Sequence, residues 1–223
     1  VHVPPGVLYD GVPAAFAGEA PPPSKPDRPE REFGPLDYGT MLVIGRVLAR
    51  ALIRLPAAAL VVGLAHAAYG FDAASFLGWL ARPTLDGGIA AALIWLAPLE
   101  VLSELVLQAV LCRIMGRVEP GTVVRFGLRR IRAELKIELT ESAGRRLSGT
   151  LFWPVFLRAA GMKVGPDSEI STIIDVVPEL ADIGGRCFFA DGVYLAGPVV
   201  DRGGVTYAAV RTGEGTFVGN HAV

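Results

Sequence analysis

Two uncharged stretches constrain this chain more than any other feature. Leu55–Tyr69 is fifteen residues in which His66 is the one polar side chain, and Gly88–Leu99 is twelve residues without a charge. Each is shorter than the roughly 20 residues a helical membrane span needs. Both continue into helical sequence. The first extends backwards through Met41–Arg54, whose charges are Arg46, Arg50 and Arg54; the second extends forwards through Glu100–Ile114, whose charges before Arg113 are Glu100 and Glu104. Spacing by four puts each set on one helix face. In an antiparallel hairpin, facing positions share one index sum. Arg54 with Glu100 and Arg50 with Glu104 share the sum 154, which sets Arg46 against Gln108. Charges inside a membrane are paired or line a cavity. The pattern therefore predicts a transmembrane hairpin over 39–117, with Arg54–Glu100 and Arg50–Glu104 as structural ion pairs. A soluble helical hairpin with solvated charges is the alternative. Composition favours the membrane, with 52% hydrophobic and 19% charged residues and a mean hydropathy of +0.45.

Orientation follows from basic residues near the helix ends. Seven bases lie between Arg113 and Lys136 against two acids, whereas Gly70–Gly87 holds Arg82 against Asp72 and Asp86. That loop is expected outside, with both chain ends in the cytoplasm. The segment 18–38 is rich in proline and charge and reads as an extended, solvated linker. Residues 118–161 form a juxtamembrane amphipathic segment. Within it Val124, Leu128, Ile131, Leu135 and Leu139 make a helical stripe, while Ile131, Ala133, Leu135, Ile137 and Leu139 alternate as in a strand.

From Met162 the texture changes. Val164-Gly165 and Ile170 are six apart; Ile183-Gly184, Phe189 and Leu195 run at sixes; so do Thr212-Gly213 and Val218-Gly219. A small aliphatic residue with glycine recurring every six marks a hexapeptide β-helix, with the aliphatic residue pointing into the prism. A sheet protein with glycine turns is the alternative. The stretches between Ile170 and Ile183 and between Leu195 and Thr212 would be loops leaving the coil. The fold class is thus mixed: a transmembrane α-helical hairpin, then a left-handed parallel β-helix over 162–223. It reads as truncated at both ends, an excerpt of a longer polypeptide.

Three segments carry a resemblance: LSGTLFWPVFLRAAGMKVGPDSEIST (Leu147–Thr172), VVPELADIGGRCFFADGVYL (Val176–Leu195) and TFVGNHAV (Thr216–Val223). They resemble the C-terminal region of single-module nonribosomal peptide synthetase-like proteins, the group that includes epsilon-poly-L-lysine synthase. The opening VHVPPGVLYDGVPA makes 1–17 look like the tail of a preceding β-helix domain. Thr212 departs from the aliphatic pattern. The resemblance implies helix pairs alternating with β-helix domains in a bacterial cytoplasmic membrane, and amide-bond formation from aminoacyl groups. It implies adenylation and carrier domains of the same polypeptide as partners. The phosphopantetheine would sit on that carrier, with no cofactor in this segment. A non-catalytic membrane scaffold or export element, or a stand-alone hexapeptide acyltransferase, are the alternatives.

Amide formation needs a base for the amine and donors for the oxyanion. His221 follows Val218-Gly219-Asn220 at a coil turn and is the candidate base; His2 and His66 read as bystanders. Asp175, Glu179 and Asp182 fall in one inserted loop and are the candidate site for a cationic amine, with a solvated loop of turn-forming acids as the alternative. Asp191 and Asp201 are weaker candidates. Cys112 and Cys187 lack disulfide or zinc-ribbon spacing. With no metal-ligand spacing, no phosphate loop and a net charge of -1, metal and nucleic acid are not expected as ligands.

Overall fold

The computed structural model describes residues 7–10, 15–20, 22–69, 74, 77–78, 81, 87–195, 197–201 and 203–222. The expected outer loop falls almost wholly outside them, as does most of the expected N-terminal tail. What is described of that tail is an antiparallel pair, β1 (Val7–Asp10) with β2 (Ala15–Glu19).

Two long helices follow, α1 (Pro35–Tyr69) and α2 (Gly87–Ile114), and they pack together. Asp37 in the first turn of α1 and Arg113 in the last turn of α2 suit the helix dipoles. Ile94–Ile114 is long and apolar enough to cross a membrane, judged by length and composition.

The juxtamembrane segment holds β3 (Gly121–Val123), α3 (Leu128–Leu147) and α4 (Phe152–Ala160). The alternating pattern at Ile131–Leu139 belongs to a helix. It looks strand-like because α3 is covered on more than one side: it packs on α1, α2 and α4 and touches a strand beyond them. Ile131, Ala133, Ile137, Leu139 and Ala143 are all buried.

Beyond α4 the short strands pair in parallel, each with the one a turn later. β4 (Lys163–Val164), β7 (Ala181–Ile183) and β12 (Val210–Thr212) form one sheet, with Val164, Ile183 and Thr212 in register. β5 (Glu169–Ile170), β8 (Phe188–Phe189) and β13 (Phe217–Val218) form the next, aligning Ile170, Phe189 and Val218. β6 (Ile173–Ile174) and β9 (Val193–Tyr194) form a third. Ile170, Ile173, Ile183, Phe189, Val193 and Leu195 share one buried core, which Val164 and Val218 flank. That core is continuous with Trp153, Phe156 and Leu157 of α4 and with Cys112 of α2.

Stacking dictates the glycine column. A Cβ on Gly184 would sit 2.5 Å from the Gly213 carbonyl oxygen, and one on Gly165 would collide with Gly185 backbone. The corner between the first two sheets is tied by Ser168, whose hydroxyl donates to Gly184 O at 2.9 Å and accepts from Cys187 N at 3.2 Å. Cys187 is thus core, with its thiol donating to Gly213 O at 3.1 Å. The free edge of the first rung is covered: Arg158 of α4 donates to the carbonyls of Val164 and Gly165, each at 2.8 Å. Trp153 Nε1 donates to Ser171 O at 3.1 Å. Covering an edge in this way blocks pairing with another chain.

The Leu195–Thr212 insertion leaves the stack as a hairpin, β10 (Val199–Asp201) and β11 (Gly204–Tyr207), and β11 pairs antiparallel with β3. The proline-rich segment is extended but not freely solvated. Asp27 accepts from Thr122 N at 2.8 Å, Ser24 Oγ donates to Asp201 at 2.6 Å, Glu30 accepts from Arg129 N at 2.9 Å, and Arg28 meets Glu119 at 2.6 Å. Its Asp27 and Glu30 carboxylates accept from backbone donors at the edge of β3 and the start of α3. A composition-based reading as a linker does not foresee those contacts.

Candidate functional site

The structure places the predicted site residues in three different settings. Arg54 meets Glu100 at 3.0 Å. The second pair is corrected: Arg50 meets Glu138 of α3 at 2.6 Å, and Glu104 meets Arg146 of α3 at 2.6 Å with Arg54 at 3.8 Å. Arg46 likewise turns to Glu138, at 2.6 Å, and Gln108 donates to Ser142 at 3.3 Å. The reason is a third helix. α3 lies along the hairpin and supplies competing charges, which an index sum over two helices cannot register.

The acidic loop is corrected as well, because its three carboxylates do not converge. Glu179, its side chain 10% exposed, pairs with Lys136, itself 2% exposed, while accepting from Val118 N at 2.7 Å. Asp182 lies on the outer face of the first sheet between Lys163, at 3.5 Å, and Arg211, at 4.0 Å. Asp175 holds a left-handed backbone, φ 56°, and its amide donates to Glu141 at 3.4 Å. The loop is pulled inward by Pro178 and Leu180, both buried, so its acids are dispersed.

His221 is at a different place, beside Asp191. Its backbone is left-handed with φ 56°, and its amide donates to Asp191 O at 2.9 Å. A side chain on Gly192 would strike the imidazole, since a Cβ there would be 2.5 Å from Nδ1. Gly192 is therefore what lets the ring lie over this turn. Asp191 is held from several sides. The Ser171 hydroxyl donates to its Oδ1, the Thr172 hydroxyl donates to the same oxygen at 3.2 Å, and its amide donates to Asn220 Oδ1 at 3.1 Å. The Ser171 hydrogen bond, then that of Thr172, holds the carboxyl below the usual aspartate range, and the His221 charge adds to the effect. Ser148, which caps α3, is 3.2 Å from the Thr172 hydroxyl and joins the helix to the turn.

A groove of about 310 Å³ runs past Asp191. Ser171, Ala190 and Gly219 are its small floor. One wall is Phe188 and Phe217, exposed and stacked with ring centroids 5.5 Å apart and planes 5° apart. Asp191 and Asn220 also line the groove. An ionised carboxylate and aromatic faces lining one groove suit an ammonium group, since both attract a cation. The phenylalanine pair escaped the sequence reading, although Phe188 and Phe217 each precede an inward hexad residue and so fall on one outward column. Among the described residues no group of three or more His, Cys, Asp or Glu is arranged to hold a metal ion.

Comparison with known proteins adds a relative. Over 111 residues, 48% of this chain, the sequence is 33% identical to Delta-poly-L-ornithine synthetase of Acinetobacter baumannii. The chain spans 8% of that protein's length. The likeness relates this stretch to the poly-amino-acid synthetases. No family model matches the chain, and no solved structure matches it.

Proposed function

We propose that this chain is part of the membrane region of a nonribosomal peptide synthetase-like enzyme and aids amide-bond formation from carrier-bound aminoacyl groups. The observation that carries the reading is the similarity to a poly-ornithine synthetase. In this reading α1 and α2 form a membrane hairpin. Its support is the apolar Ile94–Ile114 window, only 17% of which is buried, unlike the core helix of a soluble protein. The parallel strands are the first rungs of a left-handed β-helix, a reading supported by the three in-register columns. The adenylation and carrier domains lie elsewhere in the polypeptide, and the soluble parts face the cytoplasm.

The groove suggests the division of labour. Asp191 and the phenylalanine faces hold a cationic amine, and His221, next in sequence to the groove residue Asn220, accepts a proton from the attacking ammonium and releases it to solvent. As the amine nitrogen bonds to the thioester carbonyl carbon, His221 takes the second proton from that nitrogen, the carbon–sulfur bond breaks, and the imidazolium passes this proton to the departing thiolate, leaving a neutral amide. The Asp191 carboxylate stabilises the imidazolium formed on the way.

The test is the full polypeptide in detergent with ATP and single cationic amino acids, its products read by mass spectrometry. Amide-linked oligomers that disappear when residues 162–223 are replaced by a flexible linker, with aminoacyl loading of the carrier unchanged, support the reading. Undiminished oligomers from that chimaera reduce this coil to a scaffold.

A further inference from the structure

We propose that the cavity between α1, α2 and α3 is a headgroup site for an anionic, hydroxyl-bearing phospholipid such as phosphatidylglycerol. The site rests on the membrane hairpin proposed above, but not on amide chemistry.

The cavity has a volume of about 360 Å³. Arg46, Arg50, Arg54 and Arg145 line it against Glu104 and Glu138. Arg54 also meets Glu100 at 3.0 Å, and Arg146 reaches in to Glu104, so five guanidiniums stand against three carboxylates, a surplus of two positive charges. Both lining carboxylates are already shared. Glu138 is bridged by Arg46 and Arg50, and Glu104 by Arg146 and Arg54. Arg145 is exposed and has no ion pair among the described residues. An arginine without a carboxylate partner, beside three that share theirs, is suited to a phosphodiester, which planar guanidiniums bind in a bidentate manner.

A second observation comes from the cavity wall. Gln108 is 2% exposed and donates through its amide nitrogen to Ser142. Its Oε1 is buried and accepts no hydrogen bond among the described residues. An unmet buried acceptor carries a desolvation cost, which a donor in the cavity would remove. A phosphodiester has no donor to offer at neutral pH; a glycerol hydroxyl does. The guanidinium surplus and the orphan carbonyl together describe a ligand with an anion at one end and a hydroxyl close by.

The surroundings supply the place for acyl chains. The turns that carry the arginines also expose Val43, Val47 and Leu48 on α1, and Val101 and Leu102 are exposed on α2. Relative to the uncharged cores Leu55–Tyr69 and Gly88–Leu99, taken as the hydrocarbon-spanning part, the cavity lies on the side where the basic excess predicts cytoplasm, and basic pockets between membrane helices on that side hold anionic headgroups.

The experiment is native mass spectrometry of the detergent-purified protein titrated with phosphatidylglycerol, phosphatidylmethanol (a diester without a headgroup hydroxyl) and phosphatidylcholine of matched chains. Inorganic phosphate is the soluble competitor. Phosphatidylglycerol should bind at least about tenfold more tightly than phosphatidylcholine, and Arg145→Gln should weaken it about fivefold. Gln108→Leu should abolish the preference for phosphatidylglycerol over phosphatidylmethanol and keep the preference for anionic lipid. Equal binding of phosphatidylglycerol and phosphatidylcholine overturns the site, as does an unchanged headgroup preference in Gln108→Leu. Displacement of the lipid by millimolar inorganic phosphate makes this a free-phosphate site and overturns the lipid. Flotation with vesicles and resistance to alkaline extraction are measured on the same protein. Insertion without headgroup preference defeats the site alone, whereas failure to insert defeats the hairpin beneath it.

Discussion

Lys136→Met should be among the most damaging single changes in this protein. Lys136 is 2% exposed, and its ammonium lies against Glu179, whose side chain is 10% exposed. Methionine keeps most of the volume and removes the charge. Glu179 then retains the Val118 amide at 2.7 Å as a donor, which cannot balance a buried carboxylate. Removing one partner of a buried pair costs about 3–5 kcal/mol. At this chain length that is a fall in melting temperature of roughly 6–20 °C. The pair joins α3 to the loop before β7, so its loss should loosen the interface around Trp153, which is 1% exposed. The assay is a thermal melt of the detergent-solubilised protein followed by tryptophan emission. The double variant Lys136→Met with Glu179→Gln should recover at least half the loss, because the glutamine oxygen still accepts from Val118 while no charge is left unpaired. A single-variant shift below about 2 °C, or a double variant no better than the single, would mean that the pair is solvated and the reasoning wrong.

Other expectations follow from the same geometry. Gly184→Ala should destabilise the coil by the upper part of the roughly 1–3 kcal/mol that overpacking costs, seen as a lower denaturation midpoint, since its Cβ meets the Gly213 carbonyl and not a movable side chain. Asp191 should stay ionised as the pH falls through the ordinary aspartate range near 3.9. A depressed folded-state value means that any interaction of this carboxylate is complete above the unfolded value and is lost only as the pH falls through the lower one. Ser171→Ala removes the largest cause and should move the carbon-13 carboxyl titration of Asp191 upward. Cys112 and Cys187 are 0% and 2% exposed, so an impermeant thiol reagent should leave the native protein unlabelled. Ser75→Cys in intact cells should label, and labelling only after lysis would reverse the topology.

The limits of the sequence are physical. Arg54 and Glu100 could be matched by counting because two antiparallel helices obey one index sum. Arg50 and Glu104 could not, because Glu138 and Arg146 arrive from a helix a linear pattern does not place beside them. Spacing by six marks Val164, Ile170 and Ile183 as inward-facing, but it does not give their partners: Val164 pairs with Ile183 and Ile170 with Phe189 at separations that are not multiples of six, because the inserted loop breaks the period. It is silent on β3 and β11, whose pairing joins Val123 to Val205 across more than 80 residues without local periodicity. Glu179 looked like a solvated acid because nothing nearby in sequence announces Lys136. Asp191 looked ordinary because Ser171 and Thr172, which set its charge, come from the previous rung.

The most direct test of the central claim is the product of the full polypeptide carrying His221→Ala. Purified in detergent and given ATP and a cationic amino acid, this variant should load its carrier and insert into the membrane like the parent. Its yield of amide-linked oligomer should fall about 10²–10⁴-fold, the usual contribution of a positioned base. Oligomer at the parent's yield and length would contradict the claim that this turn of the coil takes part in making the amide bond.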